Sequence, residues 1–232
     1  MRDRDIGAGR TQNQSEEFNL TFVTAWADPN IAVIAGDSLV GSDDGESYHR
    51  TKVLWLFDRF LFGCCGSEAV LDSFGCLEKC TVANGLDAPA TVEDLLGSGY
   101  ELHLARLTAA KYQKSARETD AIVVDTHANS ARVSKWHFHV NEHGVLLAPQ
   151  LAAEGADQTW VDVPTRTGLR LRSALKTLSN IARFGVQRAA MLRVQKVAEL
   201  CPEVVDGTVY WISVERGAVV QGSSPARAPT ES

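Results

Sequence analysis

The run Ile31-Ala-Val-Ile-Ala-Gly36 holds six residues without a polar side chain. It follows a second β-rich run, Phe18-Asn-Leu-Thr-Phe-Val-Thr-Ala-Trp26. Six residues is strand length, and a strand apolar on both faces must be covered on both. Asp28-Pro29-Asn30 between the runs marks a tight turn, with Pro29 fixing φ and Asn30 tolerating the left-handed region. An antiparallel hairpin inside a layered structure is therefore the first constraint on the fold.

A second hairpin is expected from Thr51–Leu56 and Phe60–Cys65, turning at Asp58-Arg59 and closing at Gly66-Ser67. Helical spacing then sets in from Glu68 to Cys80, through Val70, Leu71, Phe74 and Leu77. Thr91 is placed to cap a second helix, with Asp94 three residues on, and that helix is expected to reach about Lys114 although Gly97 and Gly99 weaken it. Strands are expected at Ala121–Asp125 and Ala131–Val140, with a third at Val145–Leu147. One long helix fits Gly168–Leu200, with Gly185 its point of kinking or division, and Thr208–Val214 with Ala218–Val220 forms a last hairpin. Strands in adjacent pairs, rather than alternating with helices, predict antiparallel sheets in an α+β fold and argue against a Rossmann-like one. Two stacked sheets with helices outside would cover both faces of the apolar strand.

The 232 residues are 44% apolar and 22% charged, enough for a large core and against global disorder. Residues 1–17 read as a flexible leader, 18–221 as one domain and 222–232 as a disordered tail. With 23 Lys+Arg against 29 Asp+Glu and no dense basic patch, no nucleic-acid partner is expected. No apolar run is long enough to span a membrane, and the first residues lack the apolar stretch of a secretory signal, so a cytoplasmic location is expected. The five cysteines, Cys64, Cys65, Cys76, Cys80 and Cys201, are an odd set without CxxC spacing and read as reduced thiols. His137 and His139 share one face of a strand whose other face, Trp136 and Phe138, belongs in the core. His143 in the following turn is the conceivable third ligand, but solvent-side polar positions explain the pair, so no metal and no cofactor are assigned.

Four residues at strand ends have the chemistry of a supported hydroxyl nucleophile. Thr21 offers a hydroxyl nucleophile, Lys52 a positive charge beside it, and Asp37 a carboxylate to hold that charge. Gly66 can present an unobstructed backbone N–H to an oxyanion. These positions, with Ser38 after Asp37 and Arg50-Thr51-Lys52, resemble the first half of proteasome β subunits and HslV-like peptidases of the N-terminal nucleophile (Ntn) hydrolase superfamily. The intervals, 16 residues from Thr21 to Asp37 and 14 from Lys52 to Gly66, fit that family without gaps. The closing segment Asp206–Val219 is also similar to the family's last hairpin.

The resemblance implies a four-layer αββα sandwich of two antiparallel sheets flanked by helices. It implies a threonine-type peptidase in which Thr21, freed at its α-amino group, is the nucleophile and that amine its general base. Lys52 would act electrostatically, Asp37 would hold Lys52, and Gly66 would form the oxyanion hole. It further implies a homo-oligomeric ring and peptide or unfolded-protein substrates, and leaves room for an ATPase partner. Leu20, where self-cleaving members carry Gly, departs from the pattern. The alternative is a catalytically inactive structural or interaction subunit of the same architecture that retains its N-terminal extension.

Overall fold

A computed structural model describes residues 21–41, 47–110, 118–127, 131–155, 158–163, 169–178, 184–201, 205 and 207–226. The expected leader, the residues before Thr21, the Lys114 end of the second helix and Asp206 lie outside them. The first hairpin forms as expected, from β1 (Val23–Ala27) and β2 (Ile31–Gly36). Its turn is built differently from the expectation, because Asn30 does not take a positive φ. Instead the Asp28 carboxylate accepts from the N–H groups of Asn30 (2.7 Å) and Ile31 (2.8 Å), a side chain standing in for a backbone turn. A short ribbon follows, β3 (Leu39–Gly41) with β4 (Ser47–His49), which the sequence reading did not include.

The second hairpin pairs β5 (Val53–Leu56) with β6 (Phe60–Cys65), and its turn holds Phe57 and Asp58 at φ of 55° and 50°. Helices α1 (Glu68–Ala83) and α2 (Val92–Ala110) come next. The Thr91 cap is a reciprocal box. Thr91 Oγ1 accepts from Asp94 N (3.1 Å) and Asp94 Oδ2 accepts from Thr91 N (3.0 Å). Gly99 is needed where α2 meets α1, since a Cβ there would lie 2.3 Å from the Phe74 ring.

Strands β7 (Thr119–Asp125), β8 (Arg132–Phe138) and β9 (Gln150–Glu154) extend the β5–β6 sheet. The strand expected at Val145–Leu147 is reduced to a single bridge between Val140 and Leu146. Strand β10 (Val161–Val163) joins β1 at the edge of the other sheet. The long helix expected over 168–200 is divided, with α3 at Leu169–Thr177 and a second helix, α4, at Val186–Leu200. Gly185 sits before α4 at φ 74°, outside the helical region, so one continuous helix cannot pass through it. The closing hairpin joins β11 (Thr208–Glu215) to β12 (Ala218–Pro225). Strand β12 runs past residue 221, where the tail was placed, and Ala226 after it is buried. The backbone ladder with β11 keeps this polar stretch in the sheet.

The two large sheets have the orders β10-β1-β2-β11-β12 and β5-β6-β7-β8-β9, each wholly antiparallel. Period-two alternation then divides the apolar side chains among three cores. Val23, Ala25, Ile34, Leu61, Ile122 and Val124 pack between the sheets. Phe60, Phe62, Ala121 and Val123 face Phe74, Leu95 and Leu96 of α1 and α2. Phe22, Trp26, Val33 and Ala35 face Leu175 of α3 and Val194 and Val197 of α4. The result is the αββα sandwich expected, with the doubly apolar β2 buried on both faces. Among the described residues, no helix is long and apolar enough to cross a membrane.

Candidate active site

The antiparallel pairings place the start of β1, the end of β2, the start of β5 and the end of β6 at one end of the sandwich. Thr21, Asp37, Lys52 and Gly66 occupy those four positions. The sheets approach closely just inside this end: a Cβ on Gly63 of β6 would lie 2.8 Å from both Val23 Cγ1 and Ile34 Cδ1. Lys52 can therefore reach from one sheet to the other.

Lys52 Nζ donates to Thr21 Oγ1 at 2.8 Å and to Asp37 Oδ2 at 2.9 Å. The Lys52 and Asp37 side chains are 4% and 0% exposed, whereas Thr21 is only partly covered. The ion pair is thus a buried one, and such a pair is destabilising to break because the survivor is left as an uncompensated charge. Asp37 Oδ1 also accepts from Phe22 N (2.9 Å), and Asp37 N donates to Phe22 O (3.3 Å). Phe22 is buried against α4, so the residue next to Thr21 is anchored both by packing and by these bonds.

Gly66 takes φ 120°, and a Cβ there would lie 2.4 Å from the Glu118 carbonyl oxygen and 2.8 Å from Thr119 Cα. The following Ser67 N donates to Thr119 Oγ1 at 2.8 Å, which fixes the turn from β6 into α1 against β7. Structure brings Thr21, Asp37 and Lys52 into one hydrogen-bonded chain. Gly66 stands at the same end, beyond β6, the strand paired with β5.

Ser38 and Arg50 of the sequence pattern, with His49 and Gly207 which the sequence did not single out, complete the support. Ser38 Oγ lies 3.0 Å from His49 Nδ1 and accepts from Thr208 N at 2.9 Å. Gly207, at φ 81°, packs so closely on this pair that a Cβ would lie 2.4 Å from the His49 ring and 2.6 Å from Ser38 Oγ. Ser38 thereby ties the end of β2 to the start of β11. Arg50, whose N–H donates to Ser38 O, reaches Glu68 at 2.9 Å and also pairs with Asp72, joining the approach to β5 onto α1. No spacing rule announces His49; only the β3–β4 ribbon, which pairs Leu39 with His49, brings it beside Ser38.

Chemically, an ammonium donating to a hydroxyl oxygen stabilises the alkoxide form and leaves the hydroxyl hydrogen available to a base. Asp37 keeps that ammonium in place. The arrangement suits a nucleophile with electrostatic assistance.

No family model and no curated protein matches the chain at the level of sequence. Solved structures do match in fold. Anbu (Gly-1) mutant from Hyphomicrobium sp. strain MC1 superposes with a TM-score of 0.57 at 13% identity, covering 91% of this chain and 89% of its own. A second structure of Anbu from the same strain gives a TM-score of 0.55 at 14% identity, with the same coverage. These likenesses span nearly the whole chain, and the fold it shares with Anbu is Ntn-hydrolase-like.

Proposed function

We propose that this protein is a proteasome-like Ntn hydrolase that cleaves peptide bonds with Thr21 as nucleophile. The observation that carries the reading is the partly accessible Thr21 hydroxyl, 2.8 Å from a buried lysine that is itself held by Asp37. Cleavage of the Leu20–Thr21 bond would expose an α-amine one residue's reach from its own hydroxyl. An ordinary α-amine titrates near ~8 and so acts as a base close to neutrality.

In the acylation step Thr21 Oγ bonds to the substrate carbonyl carbon while its proton passes to the α-amine. Lys52 lowers the energy of the developing alkoxide, and the Gly66 N–H receives the oxyanion. The C–N bond then breaks, the leaving amine takes the proton, and an ester on Thr21 remains. Water, deprotonated by the same amine, hydrolyses that ester. Peptide or unfolded-protein substrates and a ring of identical subunits accompany this reading.

The test is the intact mass of the purified full-length chain, wild type against Thr21→Ala. The reading predicts a wild-type species that begins at Thr21 and hydrolyses peptides, and a variant that hydrolyses none. A wild type that stays full length and leaves threonine-directed electrophiles unreacted overturns it in favour of an inactive subunit.

A further inference from the structure

The sequence puts His137 and His139 on one strand face, read as solvent-facing, with His143 in the following turn the conceivable third ligand and no metal assigned. In the fold, the face of β8 opposite Trp136 and Phe138 looks towards the other sheet. Lys135 on that face is buried and donates to the Asp162 carbonyl of β10 at 3.2 Å. The residue that meets the two histidines is Glu118, immediately before β7. The β7–β8 ladder pairs Asp120 with His137 and Thr119 with Phe138, so continuing the register sets Glu118 opposite His139. His143 instead stands beside its neighbour Glu142, at 3.5 Å.

We propose that Glu118, His137 and His139 form a binding site for a divalent transition metal, with zinc the best match. One donor atom from each of the three lies within 4.8 Å of the others. Tetrahedral zinc with bonds of ~2.0–2.1 Å needs donors ~3.3 Å apart, so the three must close by at most about 1.5 Å. Glu118 and His139 are exposed and can make that adjustment by side-chain rotation. The imidazoles already meet edge to face, with ring centroids 4.1 Å apart.

A second, independent feature points the same way. His137 Nδ1 lies 2.7 Å from Asp120 Oδ1, and its other nitrogen, Nε2, points at Glu118, 3.8 Å away. A carboxylate on one ring nitrogen fixes the tautomer and orientation of the imidazole and raises the basicity of the other, which is how proteins prepare a histidine for a metal. Two imidazoles and one carboxylate leave a fourth position for water. Neutral imidazole and carboxylate donors together suit zinc, with copper and nickel behind it.

The site lies at the same end of the sandwich as Gly66, where a Cβ would lie 2.4 Å from the Glu118 carbonyl oxygen. Its existence is nevertheless independent of the hydrolase reading.

The test is calorimetric titration of the chelator-treated full-length protein with zinc, with cobalt substitution read by its visible d–d absorption. Saturable binding of one ion per chain is expected, with a tetrahedral cobalt spectrum. His139→Ala and Glu118→Gln, both at exposed positions, should each weaken binding at least ~10-fold, with ~100-fold within range. His143→Ala, Cys76→Ser and Thr21→Ala should bind as the wild type does. A rise in thermal midpoint with zinc should accompany binding and be smaller in His139→Ala at the same zinc concentration. Absence of saturable binding, or equal affinity in a His137→Ala/His139→Ala double variant, overturns the proposal.

Discussion

Replacing Lys52 by Met removes an ammonium whose side chain is 4% exposed and which bonds to Thr21 and Asp37. Met keeps much of the lysine stem's volume, so the loss is chiefly electrostatic. It takes the ion-pair partner from the fully buried Asp37 carboxylate, while the bond from Phe22 N stays. An exposed pair would be worth at most ~1 kcal/mol. Breaking a buried one costs about 3–5 kcal/mol. For a chain of this size each kcal/mol moves the thermal midpoint by roughly 2–4 °C, so Lys52→Met should lower it by about 6–20 °C. Asp37→Asn keeps an oxygen for Phe22 N–H but removes the negative charge that faces the ammonium, and should cost a similar amount. The double variant leaves neither charge uncompensated. Urea unfolding of all four proteins should show the double variant losing less than the two single losses together, by about 2 kcal/mol. A cost below ~1 kcal/mol for Lys52→Met, or additivity within ~0.5 kcal/mol, would refute the buried pair.

Three further expectations rest on separate parts of the fold. Gly97 and Gly99 lie two apart in α2, yet nothing stands within 4 Å of a Cβ on Gly97 while one on Gly99 would strike Phe74 at 2.3 Å. Gly97→Ala should therefore stabilise by ~0.5–1 kcal/mol and Gly99→Ala destabilise, as read by denaturant midpoints. Burial opposes ionisation of Asp125, but the two Arg59 bonds, at 2.9 and 2.7 Å, and the His127 N–H hold its carboxyl below the ordinary value. The stability this gives is fully present above roughly pH 4 and is lost as pH falls through the lower, folded value, so Asp125→Asn should flatten the acid limb of stability against pH. Burial pushes the Cys64 thiol up to about 12 and raises Cys65 as well, whereas Cys76, Cys80 and Cys201 are partly exposed. Alkylation of the native protein should label those three and spare Cys64 and Cys65 until denaturant is added.

The parts of the fold legible in the sequence are those whose signal is local. The apolar run of β2, the helical spacing of Val70, Leu71, Phe74 and Leu77, and the Thr91–Asp94 box each announce an element through a few neighbouring residues. Strand β9 is exposed along its whole length, so it lacks the alternation that would announce it. The polar stretch Gly222-Ser-Ser-Pro225 reads as a tail because its place in β12 depends on the ladder with β11, and on Trp211, which packs so closely that a Cβ on Gly222 would lie 2.5 Å from it. Asn30 illustrates a correct turn with a wrong cause, since the Asp28 carboxylate does the work assigned to a left-handed residue. At the site, Thr21, Asp37, Lys52 and Gly66 were visible as strand-end residues at fixed intervals. His49 and Glu118 were not, because each meets its partners only through strand pairing.

The central claim is that the Thr21 hydroxyl, assisted by Lys52, becomes a nucleophile once its own backbone nitrogen is freed. The most direct measurement is peptide mapping, by mass spectrometry, of the native protein after reaction with a threonine-directed electrophile. The account predicts a single adduct on Thr21, in a peptide that begins with that residue, and its disappearance in Lys52→Met at a temperature where that variant remains folded. An adduct on another residue, or none on protein that begins at Thr21, would contradict it.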